Sequence, residues 1–297
     1  MELQRISSNT SLADVPFHGK TGVLGTYIVE GDKRAVIDPG PPVQAKILLE
    51  WMKEQNKVID IVALTHIHLD HAAGTWNIVE EYPDVVVHVH PRGSQHLIDP
   101  TALLEAADKQ FRGETPDYGE VRGVPAENIR ESVDCEVLDL GGAQLQTLWT
   151  PGHSTHSQTY LEPSYHTIFT GDAAGQINND TILPASPPPF NPVQTNESID
   201  KIIQLSPETL CVSHFGYREN AVEYLAVFKE RVKLWSRLST LAVEKGVGLR
   251  ELFDMVMEKD HAIEKMTSMD PDARHSVYSS LTGFLGYAKW MKEKQAN

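Results

Sequence analysis

Four side chains that bind metals well, His66, His68, Asp70 and His71, fall within six consecutive positions of the segment LTHIHLDHAAG. Imidazole and carboxylate donors in that mixture suit zinc, and also iron or manganese. The apolar stretch VIDIVAL precedes them and reads as a buried strand, so the cluster stands where a strand gives way to a turn. Alternate residues of an extended chain share a side, which puts His66 and His68 together. A helix beginning near Asp70, where aspartate is favoured in the first turn, brings Asp70 and His71 back toward them.

Three more candidates stand in similar places. His153 follows LWTPG, Asp172 follows IFTG and His214 follows LCVS, each at the end of an apolar run. Loops at strand ends are where sites are built. Five histidines and two aspartates at one sheet edge suffice for two metals, with a water completing the shell. Other histidines read differently. His18, His96, His261 and His275 are expected in solvated loops. His88 and His90 are expected on a strand face, and His156 is a candidate for orienting His153. No GxSxG elbow, Walker loop or GxGxxG is present, and Cys135 and Cys211 sit in no local motif. Chemistry in this chain therefore falls to metals.

The elements that must position these residues can be read from pattern. GTYIVEG and RAVIDPG suggest a hairpin turning at Gly31-Asp32. Helical spacing marks AKILLEWMKEQN, and further strands are expected at DVVVHVH, AQLQTLW, TIFTG and LCVS. Pro91 to Arg130 is polar and partly helical, and LPASPPPFNP, with five prolines, is a stiff loop. Beyond Asn220 the pattern changes: Leu225, Phe228, Val232, Trp235 and Leu238 recur at the amphipathic helical period. An α/β domain over 1–219 and an all-helical extension over 220–297 are expected.

Composition narrows the function classes. The chain has 297 residues and a formal net charge of −15, which argues against a protein that grips a nucleic-acid backbone. Two distant cysteines fit a reducing compartment. No apolar signal core or membrane-length run is visible, so a soluble cytoplasmic protein is expected, with no nucleic-acid or membrane partner.

THIHLDH resembles the HxHxDH signature of the metallo-beta-lactamase superfamily, and TPGHS, FTGDA and VSHFGY resemble its later ligand motifs in the same order. The resemblance runs from about Gly22 to Tyr217. It implies a four-layer αββα sandwich with two divalent metal ions, zinc foremost and iron or manganese as alternatives, at one edge. By motif, His66, His68 and His153 would hold one metal, Asp70, His71 and His214 the other, and Asp172 would bridge. VIDPG, Val36–Gly40, fits the strand-turn beside such a site. The bridging aspartate is similar to that of glyoxalase II and the lactonases, which implies hydrolysis of a small-molecule ester, thioester or lactone by a water shared between the metals. Asp70 is the candidate to pass a proton to the leaving group. Two alternatives remain open: an iron redox protein, oxygen-binding or similar to a persulfide dioxygenase, and a phosphodiesterase. Phe111 and Tyr118, the SPPPF loop, and Tyr287 and Trp290 of the tail are expected to wall the pocket. The Pro91 to Arg130 insertion is expected to support a homodimer.

Overall fold

The computed structural model describes residues 3–111, 113, 115–178, 180–270 and 273–296. Two sheets carry the fold. The first contains β1 (Leu3–Arg5), β2 (Thr10–Asp14), β3 (Gly25–Glu30), β4 (Arg34–Ile37), β5 (Ile61–Ala63), β6 (Val86–Val89) and β7 (Ile129–Glu131), in chain order across the sheet. It is antiparallel through β4 and parallel from β4 to β7. β8 (Val137–Asp139), β9 (Gln144–Trp149), β10 (Gln158–Glu162) and β11 (Thr167–Phe169) begin the second sheet. A separate hairpin follows, β12 (Gln176–Asn178) and β13 (Thr181–Leu183). β14 (Thr209–Val212) and β15 (Gly216–Glu219) then complete the second sheet in the order β15-β14-β11-β10-β9-β8.

Strand alternation sorts the apolar side chains into three separate cores, and these define four layers. In β3 to β5, Ile28, Val36 and Val62 point outward to helices α1 (Pro42–Glu54), α2 (Leu69–Ala72) and α3 (Thr75–Glu81). Their neighbours Tyr27, Val29, Ala35, Ile37 and Ala63 point inward, where they meet Leu145, Tyr160, Phe169 and Cys211 of the second sheet. On the far face of that sheet, Leu148, Leu161, Ile168, Leu210 and Val212 meet helices from the chain beyond residue 191. The result is an αββα sandwich.

The insertion after β6 forms α4 (Pro91–Ile98) and α5 (Thr101–Phe111); residues 112 and 114 of it lie outside the described residues. α6 (Pro192–Gln204) starts at the end of the proline-rich loop, with the Asn191 side chain accepting from the backbone N–H groups of Val193 and Gln194. The tail is α7 (Ala221–Lys245), α8 (Leu249–Lys259), α9 (His261–Met269) and α10 (Ala273–Ala296). Leu225, Phe228, Val232, Trp235 and Leu238 are all buried, as their spacing predicts. They belong to the same apolar cluster as Ile168, Leu210 and Val212, so the tail shares a core with the second sheet. Arg231 and Asp260 form a buried ion pair at 2.7 Å, Asp260 also accepts from the Trp235 indole, and Arg231 donates to the Ile182 carbonyl of β13. Among the described residues no helix is long and apolar enough to cross a membrane.

Two local expectations are corrected. The β3–β4 turn holds three residues, Gly31 to Lys33, because Glu30 pairs with Arg34. His90 lies past the end of β6 and caps α4, its ring nitrogen accepting from the Arg92 N–H, since Pro91 stops the strand and suits a first helical position.

Candidate metal centre

The seven candidate residues converge at one edge of the sandwich from four strand ends. His66 and His68 lie in an extended loop after β5, and Asp70 and His71 in the single turn of α2. His153 follows β9, Asp172 follows β11 and His214 follows β14. Two glycines make the approach close. Gly171, at φ +51°, lies where a Cβ would stand 2.1 Å from the Thr65 hydroxyl, and Gly152, at φ +148°, faces Thr195 in the same way. Only glycine combines that backbone with that contact.

The donor atoms fall into two groups. His66 Nε2 and His153 Nε2 each lie 3.0 Å from His68 Nδ1. His214 Nε2 lies 3.2 Å from Asp70 Oδ2, and His71 Nε2 lies 3.7 Å from the same oxygen. Asp172 stands between them with its oxygens divided. Oδ2 is 3.7 Å from His153 Nε2, while Oδ1 is 3.6 Å from His71 Nε2 and 3.7 Å from His214 Nε2. His66, His71, His153 and Asp172 are buried; His68, Asp70 and His214 are partly exposed and form the mouth.

The other ring nitrogen of each buried histidine is held by the scaffold. Asp38, absent from the sequence-based candidates, does most of this. It accepts from the Thr65 N–H at 2.8 Å, the Thr65 hydroxyl at 2.6 Å, the Ser213 hydroxyl at 3.1 Å and His71 Nδ1 at 3.0 Å. The Thr65 oxygen in turn accepts from His66 Nδ1 at 3.1 Å, and the Ala185 carbonyl accepts from His153 Nδ1 at 2.6 Å. His66, His71 and His153 therefore all present Nε2 to the centre. With its Nδ1 committed to Ala185, His153 does not need His156. That ring instead hydrogen-bonds the Ser154 hydroxyl at 3.0 Å and stacks across from His66 at 6.3 Å.

Electrostatics separate the two groups. Burial and neighbouring imidazoles push His66 and His68 well below the usual histidine range; burial also lowers His153. Burial works against a charge on His71 as well, yet Asp70, Asp172 and Asp38 outweigh it and raise its pKa to about 10. His214 is raised too, because Asp172 and Asp70 overcome its burial. Asp70 shows the converse: burial opposes its ionisation, but His71 and His214 hold it well below the ordinary carboxylate range.

Three of the clusters able to hold a metal are His66–His68–His153, Asp70–His71–His214 and Asp38–His66–His71. The third shares its atoms with the others, and Asp38 already accepts four hydrogen bonds, so we assign it to support. The test of fit lies in two orphaned atoms. His71 Nε2 and Asp172 Oδ1 are buried with no hydrogen-bond partner. Buried polar atoms are rarely left so, and a cation between them would satisfy both. The donor set fits divalent metal ions.

The model of the metallo-beta-lactamase superfamily matches residues 19–214. The chain belongs to this superfamily. Superfamily relatives include the metallo-beta-lactamase fold-containing protein ST1585 of Sulfurisphaera tokodaii, 28% identical over 53% of this chain and 61% of that protein. A hydroxyacylglutathione hydrolase of Idiomarina loihiensis is 23% identical over 65% of this chain and 60% of its own length. The chain thus spans about three fifths of the length of these two relatives. In fold, the metallo-beta-lactamase family protein TTHA1429 of Thermus thermophilus matches 96% of this chain and 94% of its own, with a TM-score of 0.68 and 20% identity. That likeness extends through the tail helices and speaks to fold alone. All seven candidate residues lie within the matched segment, which ends at His214.

Of the histidines set aside by sequence, His88 is fully buried between the sheets. It hydrogen-bonds the Tyr160 hydroxyl at 3.0 Å and Glu136 at 2.7 Å, away from the metal edge. Tyr118 of the insertion packs against Phe17 and is half-buried. Burial, with Asp70 nearby, raises its phenol above the usual range. Phe111 is exposed.

Proposed function

We propose that this chain is a metal-dependent hydrolase of a small-molecule ester, thioester or lactone, using two divalent metal ions, zinc first among them. The observation that carries this reading is the division of the Asp172 carboxylate, one oxygen toward each histidine group, with one of those oxygens orphaned. His66, His68 and His153 would hold one ion, Asp70, His71 and His214 the other, and Asp172 both. When bound, such ions lower the pKa of water toward neutrality and polarise a carbonyl.

The chain's own groups do the rest. Thr65, Ala185 and Asp38 fix the imidazoles with Nε2 inward, so little reorganisation is needed. The buried floor of His66, His71, His153 and Asp172 keeps bulk water from one side of a bound acyl group. Asp70, at the mouth, can take a proton from attacking water and pass it to the leaving oxygen or sulfur. The hydroxyacylglutathione hydrolase among the relatives supports acyl transfer to water over redox chemistry.

The test is a turnover screen of zinc-, manganese- and iron-loaded protein on esters, thioesters, lactones and phosphodiesters. Hydrolysis of an acyl substrate is expected. An optical iron band with oxygen- or sulfur-dependent turnover and no hydrolysis would replace this reading with the redox one.

A further inference from the structure

A cavity of about 450 Å³ opens on the loop that carries His153; Gly152, Ser154 and Thr155 form one end of it. Pro188, Pro189 and Phe190 form one wall, and Tyr287 and Trp290 of α10 another. Its volume lies in the range of small-molecule sites. The walls are stiff: prolines on one side, and on the other two rings whose centroids are 5.6 Å apart. Trp290 is nonetheless 49% exposed, a large apolar surface left uncovered on the same cavity as the residues that flank His153.

The floor supplies an independent observation. Gly283 and Gly286 both lie within α10, where glycine weakens a helix. Gly283 has a packing reason, because a Cβ there would stand 2.0 Å from the Ser186 carbonyl, so it lets the proline loop dock. Gly286 has none: a Cβ on it would meet no atom within 4 Å. It lines the cavity, and its effect is to leave the floor open between Tyr287, Trp290 and the proline wall.

We propose that this groove receives the apolar acyl arm of the substrate, flat or extended, while the acyl carbon lies at the metal centre. The inference rests on the hydrolase reading above and adds a substrate class: esters or thioesters of bulky apolar acids. The occupant is a substrate arm because the groove is concave, is lined by both residues that flank His153, and combines polar with apolar lining. Ser154 and Thr155 are polar neighbours for the carbonyl end, and proline, phenylalanine and tryptophan surfaces suit the arm, with Asn191 and Gln194 also on the lining. Gly286 is the residue that sets its depth.

The test uses the full chain loaded with zinc and compares acetyl, octanoyl and naphthoyl thioesters. Gly286→Leu projects into open space, so the fold is kept while the groove is filled. For this variant kcat/KM should fall by about tenfold or more on the octanoyl and naphthoyl substrates and by less than about twofold on acetyl. Trp290→Ala should shift KM for the long substrates in the same direction. Equal effects on all acyl groups, or none, would overturn the inference while leaving the hydrolase reading intact. So would a change of mass in sedimentation with uniform loss of activity, which would make the groove a contact between copies. Octanoate binding, read by tryptophan fluorescence, supplies the separate readout. Binding seen in the parent protein and lost in Gly286→Leu supports the groove even where no thioester turns over, an outcome that would count against thioester hydrolysis alone.

Discussion

Replacing Asp172 by asparagine keeps the side chain's shape and removes its charge. If its two oxygens serve two ions, Asp172→Asn should weaken metal retention and lower turnover by orders of magnitude. His88→Ala should leave metal content unchanged and instead cost about 1–3 kcal/mol of stability, because Glu136 and Tyr160 lose a buried partner. Asp38→Asn tests the support. The residue touches no proposed ion, yet it orients His71 and, through Thr65, His66, so affinity for metal should drop about 10–100-fold. Unchanged affinity in a competition titration would mean that the imidazoles are held by packing alone. The gathering of these candidate residues was legible because histidine and aspartate at those spacings have few other uses. Asp38 was not, because an aspartate before Pro39-Gly40 reads as a turn residue. Only the fold brings Thr65, His71 and Ser213 around it.

The histidine pKa values give a pH prediction for the metal-free protein. His66, His68 and His153 are lowered in the folded state, and His156 is lowered to about 3 by burial and then by His153. Below the ordinary histidine value near 6.5 the unfolded chain therefore binds more protons than the folded one, and stability falls as pH falls. His71 and His214 have the opposite sign, with raised values, so their contribution is complete below about 6.5 and is lost only as pH rises. With His88 and His90 also lowered by burial, six lowered groups against two raised ones predict a lower melting temperature at pH 5 than at pH 7. A flat profile would show that the cluster is solvated in the metal-free chain.

At the scale of elements, two glycines make a contrast. Gly171→Ala places a methyl group against Thr65 at a positive φ, and should destabilise by more than about 1 kcal/mol as well as displace Asp172. Gly286→Ala enters open space in a helix and should stabilise by about 0.5–1 kcal/mol. Urea denaturation of both variants checks the pair, and equal losses would mean that α10 is packed differently. Strand periodicity made the sandwich legible, since Tyr27, Ile28 and Val29 already alternate between two faces. The three-residue turn at Gly31 to Lys33 and the helix cap at His90 were not legible. Each depends on register with a neighbour or on a cap geometry that composition does not carry.

For the whole molecule, the tail proves inseparable from the sandwich in physical terms. Phe228, Trp235 and Phe284 belong to the same buried apolar cluster as Leu210 and Val212 of the second sheet. A chain ending near Tyr217 would uncover that cluster, and each large side chain left exposed forfeits about 1.5–3 kcal/mol. We therefore predict aggregation of the truncated chain, and point substitutions in α10 are the sound probes of substrate choice. The start of the helical tail, at Ala221, was visible as a change of period. The shared core was not, because a helical stripe does not reveal which face will cover it.

The proposed two-metal centre is built from seven side chains, with Asp172 between the two histidine groups. Elemental analysis of protein stripped with chelator, reconstituted with zinc and freed of excess ion tests it most directly. Saturation at about two zinc ions per chain is the expected result, with Asp172→Asn saturating lower. Saturation of the parent protein at one ion would contradict the claim and leave Asp172 as a ligand to a single metal.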